Sequence, residues 1–188
     1  MRKIGAGLFM SLDGVTESPS QWGHRYFDDE VLGAINSGLA GKDAILLGRR
    51  TYLEFADFWP GREGPMADFL NETPKYVVSS TLETLEWRPA SLIGGDLAGD
   101  LMKLKQEPGG DIQIPGSPRL VASLLRDGLL DELAVMIAPV VVGSGMRLFE
   151  DAGEGFELEL ADSEVLGPGV LSATYRSVLD RSHNGVAG

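Results

Sequence analysis

Ala44-Ile45-Leu46-Leu47-Gly48-Arg49-Arg50-Thr51 is an apolar run that stops at a glycine, two guanidinium groups and a hydroxyl. Consecutive aliphatic residues bounded by polar ones read as a strand buried on both faces, with a helix starting beyond it. A strand ending in cationic and hydroxyl residues puts hydrogen-bond donors at its carboxyl end, where open α/β sheets bind ligands. The pattern returns at Tyr76-Val77-Val78-Ser79-Ser80 and at Ile114-Pro115-Gly116-Ser117-Pro118. Together these strand ends point to a phosphorylated nucleotide.

Outward from this segment, residues 3–11 read as a buried first strand that opens into a loop at Asp13-Gly14. Asp28, Asp29 and Glu30 suit a helix's first turn, where acidic charge meets the positive end of the macrodipole. Val31, Leu32, Ile35 and Leu39 give that helix its apolar stripe, and Gly41 closes it. Further helices are expected over 51–58, with Thr51 able to cap it, over 66–70 and over 97–106. Strands are expected at 75–79, 91–93 and 111–114. Ser117 as N-cap, Pro118 at the first helical position, the stripe Leu120, Val121, Leu124 and Leu125, and Gly128 beyond the end predict a helix over 117–127.

Residues 132–142 form a nearly continuous apolar strand, and Phe156, Leu158 and Leu160 alternate with acidic residues. Gly167-Pro168-Gly169 then turns into residues 170–178 to make a terminal antiparallel hairpin. Residues 1–180 read as one domain, with 181–188 as a frayed, flexible tail. Strands alternate with helices as far as about residue 130, and strands alone follow. That order predicts an α/β fold: a three-layer α/β/α sandwich on a mixed, mostly parallel sheet with a C-terminal antiparallel hairpin.

At 188 residues the chain is long enough for one well-buried core. Its net charge of −12 argues against nucleic-acid or anionic-membrane partners, which demand clustered Lys and Arg. The absence of cysteine removes disulfides, thiolate chemistry and Cys-ligated metal sites, and is compatible with a reducing cytoplasm. Met1-Arg2-Lys3 and the apolar residues after it resemble a secretory start but carry Gly5 and Gly7 and stop at Asp13-Gly14, so a first strand is the better reading. The apolar stretch 133–142 is about half a membrane span and contains Pro139. A soluble, cytoplasmic protein is expected.

Plain readings stand beside the functional ones. Arg49 and Arg50 would also suit a solvated turn, Ser79-Ser80 a strand end, and Gly116-Ser117 a simple connection. Trp22, Tyr26 and Phe27 could form an aromatic wall for a flat heterocycle or could pack the core. Asp13 could face a substrate or make an Asp-Gly turn, and Asp28 and Asp29 read as helix-start charges. With His24 and His183 alone, a histidine metal site or triad has no support. Gly143-Ser144-Gly145 lacks the third glycine of a dinucleotide fingerprint and reads as a bend.

The ordered set Ser11-Leu12-Asp13-Gly14, Leu47-Gly48-Arg49-Arg50-Thr51, Val78-Ser79-Ser80 and Gly116-Ser117-Pro118-Arg119-Leu120 resembles the dihydrofolate reductase-like superfamily. So does Leu129-Leu130-Asp131-Glu132-Leu133 followed by the segment from Pro139 to Gly145. The nearest branch is that of the C-terminal reductase domain of the bifunctional riboflavin-biosynthesis deaminase/reductase and its stand-alone bacterial homologues. The resemblance spans residues 1–178.

It implies an NADPH-dependent reductase of a small heterocyclic, pteridine- or pyrimidine-like, or conjugated substrate. Arg49 and Thr51, with Ser79 and Ser80, would hold the 2′-phosphate and nearby phosphate oxygens, and Gly116 and Ser117 would approach the pyrophosphate. Gly48, Arg50, Pro115, Arg119 and Leu120 complete the implied cofactor-binding set. Asp13 would be the catalytic residue, and Trp22 and Phe27 would line the substrate pocket. A homodimer is implied by the same likeness. Where the family has adjacent glycines, and in many members a cis peptide, this chain has Gly116-Ser117 after Pro115. Two alternatives stay open: a non-catalytic nucleotide-binding paralogue or sensor, and a reductase using a deazaflavin.

Overall fold

The computed structural model describes residues 1–150 and 155–178, and the expected tail at 181–188 lies outside them. Eight strands build one sheet: β1 (Ile4–Ser11), β2 (Lys42–Gly48), β3 (Lys75–Val78), β4 (Ala90–Ile93), β5 (Asp111–Pro115), β6 (Glu132–Ala138), β7 (Leu158–Leu166) and β8 (Val170–Ser177). Their spatial order is β4-β3-β2-β5-β1-β6-β8-β7. The first six run parallel, while β8 pairs antiparallel with both β6 and β7. The helices are α1 (Pro19–Trp22), α2 (Asp29–Gly38), α3 (Arg49–Phe58), α4 (Pro65–Glu72), α5 (Leu97–Gln106) and α6 (Pro118–Arg126). This is a dihydrofolate reductase-like α/β fold with a C-terminal antiparallel hairpin. Among the described residues no helix is long and apolar enough to cross a membrane.

The alternation of strand side chains sorts the core into layers. Ile4, Ala6 and Leu8 of β1 and Ile112 and Ile114 of β5 face α5 and α6, packing on Leu101, Leu104, Val121, Leu124 and Leu125. The opposite face carries two separate clusters. Ile45, Leu47 and Val77 pack on Tyr52, Leu70 and Trp87 beneath α3 and α4. Phe9, Met136 and Ala138 pack on Val31, Ala34 and Ile35 of α2. Between the two clusters, Gly5 of β1 pairs with Gln113 of β5, so small and polar residues floor the strip of sheet that separates them.

Local chemistry explains where elements begin and end. Asp28 caps α2 by accepting a hydrogen bond from Val31 N–H at 2.9 Å, and Asp96 caps α5 by accepting from Gly99 N–H at 3.0 Å. The strand expected over 132–142 stops at Ala138, because Pro139 has no N–H to continue the ladder. Thr51 does not cap its helix. That helix starts at Arg49 after an extended Gly48, and Thr51 lies buried inside it. At the sheet's edge, β7 is exposed along nearly its whole length and is interrupted by a bulge between Leu160 and Asp162.

Candidate active site

Because β1 to β6 run parallel, Ser11, Gly48, Val78, Ile93, Pro115 and Ala138 end at one edge of the sheet. β5 is inserted between β1 and β2 although it follows both in sequence, so the chain changes direction at this edge. Open α/β sheets bind ligands at such switch points. The helix starts that follow β2 and β5 point unpaired N–H groups toward the same edge.

The crossings touch one another. Gly48 N–H donates to Ser117 Oγ at 3.0 Å, joining the β2–α3 turn to the β5–α6 turn. A side chain on Gly116 would meet the Thr51 methyl at 3.5 Å, and one on Gly48 would meet Leu120 Cβ at 3.8 Å. The Pro115–Gly116 peptide is not cis, and the turn is made instead by left-handed backbone at Gly116 (φ 74°) and Ser117 (φ 53°). Such a φ is free for glycine and costs a serine roughly 1–2 kcal/mol. Ser117 stands at the N-cap position, but its hydroxyl makes no capping bond to its own helix; it is turned toward Gly48 instead.

Beside this junction a groove of about 470 Å³ is lined by Arg49, Val78, Ser79, Ser80, Thr81, Ile93, Gly94, Gly95 and Leu97. Ser79 Oγ accepts from the N–H groups of Thr81 at 3.2 Å and Leu82 at 3.0 Å, which fixes the turn and leaves its O–H proton to donate outward. A side chain on Gly94 would lie 3.3 Å from the Ser79 carbonyl oxygen, so this wall is built by close backbone approach. Arg49 and the two serines are thus brought together. Gly94 and Gly95 were missed in the sequence; the signal was Ile93-Gly94-Gly95-Asp96, a further strand end running into a capped helix.

Arg50 is placed differently from the expectation. Its guanidinium turns away from the groove to Glu17 Oε1 at 2.7 Å and Glu54 Oε1 at 2.9 Å. Arg119 is exposed at the start of α6, Leu120 packs partly against the core, and Pro115 is buried at the end of β5.

Asp13, expected as the catalytic residue, lies in the loop after β1 with both carboxylate oxygens hydrogen-bonded. Its carboxylate accepts from Ser11 Oγ–H at 2.7 Å, Gly143 N–H at 2.9 Å and Val142 N–H at 3.0 Å, while Arg147 Nη2 stands 3.4 Å away. Those bonds, the Ser11 hydroxyl first and the two backbone amides next, hold its pKa far below the usual carboxylate range. Asp13 therefore stays ionised and braces the loop after β1 against the loop after β6. Ser11 is two residues away, but the two backbone amides lie about 130 residues away, so the sequence carried no sign of them.

Of the acidic residues at the start of α2, Asp29 is exposed in the first turn. Asp28 caps that helix, and Glu30 accepts from Gly167 N–H at 2.8 Å in the hairpin turn. Trp22 and Phe27 lie together with Phe9. Phe9 stacks with Trp22 at a centroid distance of 5.7 Å and meets Phe27 at 4.4 Å. The Trp22 indole N–H donates to the Glu17 carbonyl oxygen at 2.9 Å, and all three rings stay partly exposed. All three pack against the cluster in which Tyr26 is buried. Among the described residues no cluster of His, Cys, Asp and Glu could hold a metal ion.

Residues 2–172 match the family of the RibD C-terminal domain. The chain is 28% identical over 179 residues to YyaP of Bacillus subtilis (strain 168), an uncharacterized protein, covering 93% of this chain and 94% of that one. Its fold is similar to that of a pyrimidine reductase-like protein from Corynebacterium diphtheriae, with TM-score 0.66 and 15% identity over 95% of this chain and 93% of that one. It is also similar to dihydrofolate reductase from Enterococcus faecalis in complex with NADP(H), with TM-score 0.61 and 13% identity over 94% and 96% of the two chains.

Proposed function

The chain belongs to the RibD C-terminal domain family, and on that premise we propose that it is an NADPH-dependent reductase that passes a hydride to a small pteridine- or pyrimidine-like heterocycle. The observation that carries the proposal is the meeting of Arg49, Ser79 and Ser80 in one groove, next to a Gly116-Ser117 turn tied to the same helix start. A permanently charged guanidinium flanked by hydroxyls is the donor set a phosphate dianion asks for.

Bound NADPH supplies the hydride; the chain supplies binding and position. Arg49, Ser79 and Ser80 hold the 2′-phosphate. Gly116, lacking a side chain, lets the backbone approach the pyrophosphate, and the amides opening α3 and α6 donate to its oxygens. Phe9, Trp22 and Phe27 stack the heterocycle and exclude water from one of its faces. Asp13 and Asp28 accept structural hydrogen bonds, as does Glu30, while Asp29 is exposed in the first turn of α2.

The test is loss of NADPH absorbance with a panel of pteridines, aminopyrimidines and quinones. Consumption with at least one of them is expected. Tight binding with no consumption across the panel would overturn the reductase and leave a nucleotide-binding protein.

A further inference from the structure

Glu17 lies in the loop after β1, and its carboxylate stands between two parts of the site. Oε1 pairs with Arg50 Nη2 at 2.7 Å, and Oε2 accepts from Met146 N–H at 3.2 Å. Its own carbonyl receives the Trp22 indole N–H. The next residue, Ser18, is held in left-handed backbone (φ 47°) where α1 begins. The loop is otherwise braced to the segment after β6: Leu12 N–H donates to the Val140 carbonyl at 2.8 Å, and Thr16 N–H to that of Met146 at 2.9 Å. The Arg50–Glu17 pair is the salt bridge that ties this braced assembly to α3.

Arg50 is the neighbour of Arg49, which lines the groove, and Arg119 at the start of α6 also acts electrostatically on Glu17. The Glu17 carboxylate pairs with the guanidinium in the first turn of α3, one of the two helix starts proposed to hold the pyrophosphate. We infer that Glu17 is a resident counter-anion that the dinucleotide pyrophosphate displaces from Arg50, and that its release repositions Trp22 in the aromatic wall. The inference deepens the reductase reading and rests on it. Glu17 is thus a positioning residue: it lowers cofactor affinity in the free protein and couples cofactor arrival to the substrate side. The pair is partly exposed, with side-chain accessibilities of 34% for Glu17 and 59% for Arg50, so the exchange is inexpensive.

The experiment titrates NADPH, and separately inorganic pyrophosphate, into the full-length wild type, Glu17→Gln and Glu54→Gln at low salt. The Trp22 indole N–H resonance, assigned with Trp22→Phe, is followed throughout. The Glu17→Gln side chain keeps an acceptor for the Met146 N–H but loses the charge. Binding of both ligands to Glu17→Gln should tighten by about two- to fivefold, the range of an exposed ion pair. Its ligand-free Trp22 signal should sit toward the wild-type bound position. Glu54→Gln removes an equal charge from the same arginine without touching the loop, and should leave the Trp22 signal in place. Unchanged or weaker binding to Glu17→Gln, or an equal Trp22 displacement in Glu54→Gln, would overturn the inference. If NADPH binds no variant while pyrophosphate still favours Glu17→Gln, the cofactor reading falls and the role of Glu17 stands.

Discussion

Gly48 and Ser117, 69 residues apart in sequence, are joined by a hydrogen bond of 3.0 Å from the glycine N–H to the serine Oγ. The bond fixes the distance between the two helix starts assigned to the cofactor's phosphates.

Ser117→Ala leaves the partly buried Gly48 N–H without its acceptor, a loss of roughly 1–3 kcal/mol. Ser117→Gly makes the same loss but relieves the left-handed backbone, and should keep up to about 1 kcal/mol more stability than the alanine variant. Denaturant midpoints of the two variants measure the difference. Equal or reversed stabilities would show that the serine backbone carries no strain.

Arg49→Ala should weaken NADPH binding about tenfold or more beyond any effect on NADH, because a charge-assisted phosphate contact is lost for one ligand alone. Fluorescence titration of both cofactors reads the ratio. Parallel losses would remove Arg49 from the 2′-phosphate.

Asp13 has a native pKa depressed below its unfolded value, so its stabilising contribution is complete above the ordinary carboxylate range. That contribution is lost as pH falls through the range toward the depressed native value. Asp13→Asn should lower the melting temperature at neutral pH and flatten the acid side of the stability curve. It should leave the pH–rate profile of the folded enzyme unmoved. A limb of that profile disappearing in the variant would restore Asp13 as a proton donor.

Lys75 is fully buried at the start of β3, with Nζ donating to the carbonyls of Thr73 at 2.9 Å and Asn71 at 3.1 Å and lying 4.3 Å from the Trp87 ring centre. Burial pulls its pKa from 10.5 down to about 8. The unfolded chain then binds more protons than the native one between about pH 8 and 10.5, so stability rises with pH across that window. At neutral pH the buried charge costs about 3 kcal/mol. Lys75→Met should abolish the alkaline rise, as denaturation at pH 7 and pH 9.5 would show. A rise that persists in the variant would place its origin elsewhere.

Most of the framework was legible in the sequence because it rests on local signals. The helix expected over 97–106 is Leu97–Gln106, and the structure adds its cap, Asp96. The helix behind Ser117 was readable from Pro118 and its apolar stripe. What the sequence hid were side-chain partners distant along the chain. Arg50 is held by Glu17, 33 residues away, a pairing that no local signal in the sequence carries. Asp13 looked available until the amides of Val142 and Gly143 were seen on its oxygens. Phe9 was read only as part of a strand, because its ring contacts depend on where the loop beyond it returns.

Among the described residues β7 is the outermost strand, with no strand on its outer side, and it carries Glu159, Asp162 and Glu164 among exposed Leu160 and Val165. Charged side chains along an exposed edge disfavour strand-to-strand pairing with a second copy. Toward the pI of about 4.5 expected from the sequence, the net charge of the whole chain approaches zero, a condition that promotes association. Purification and storage therefore belong well above that pH.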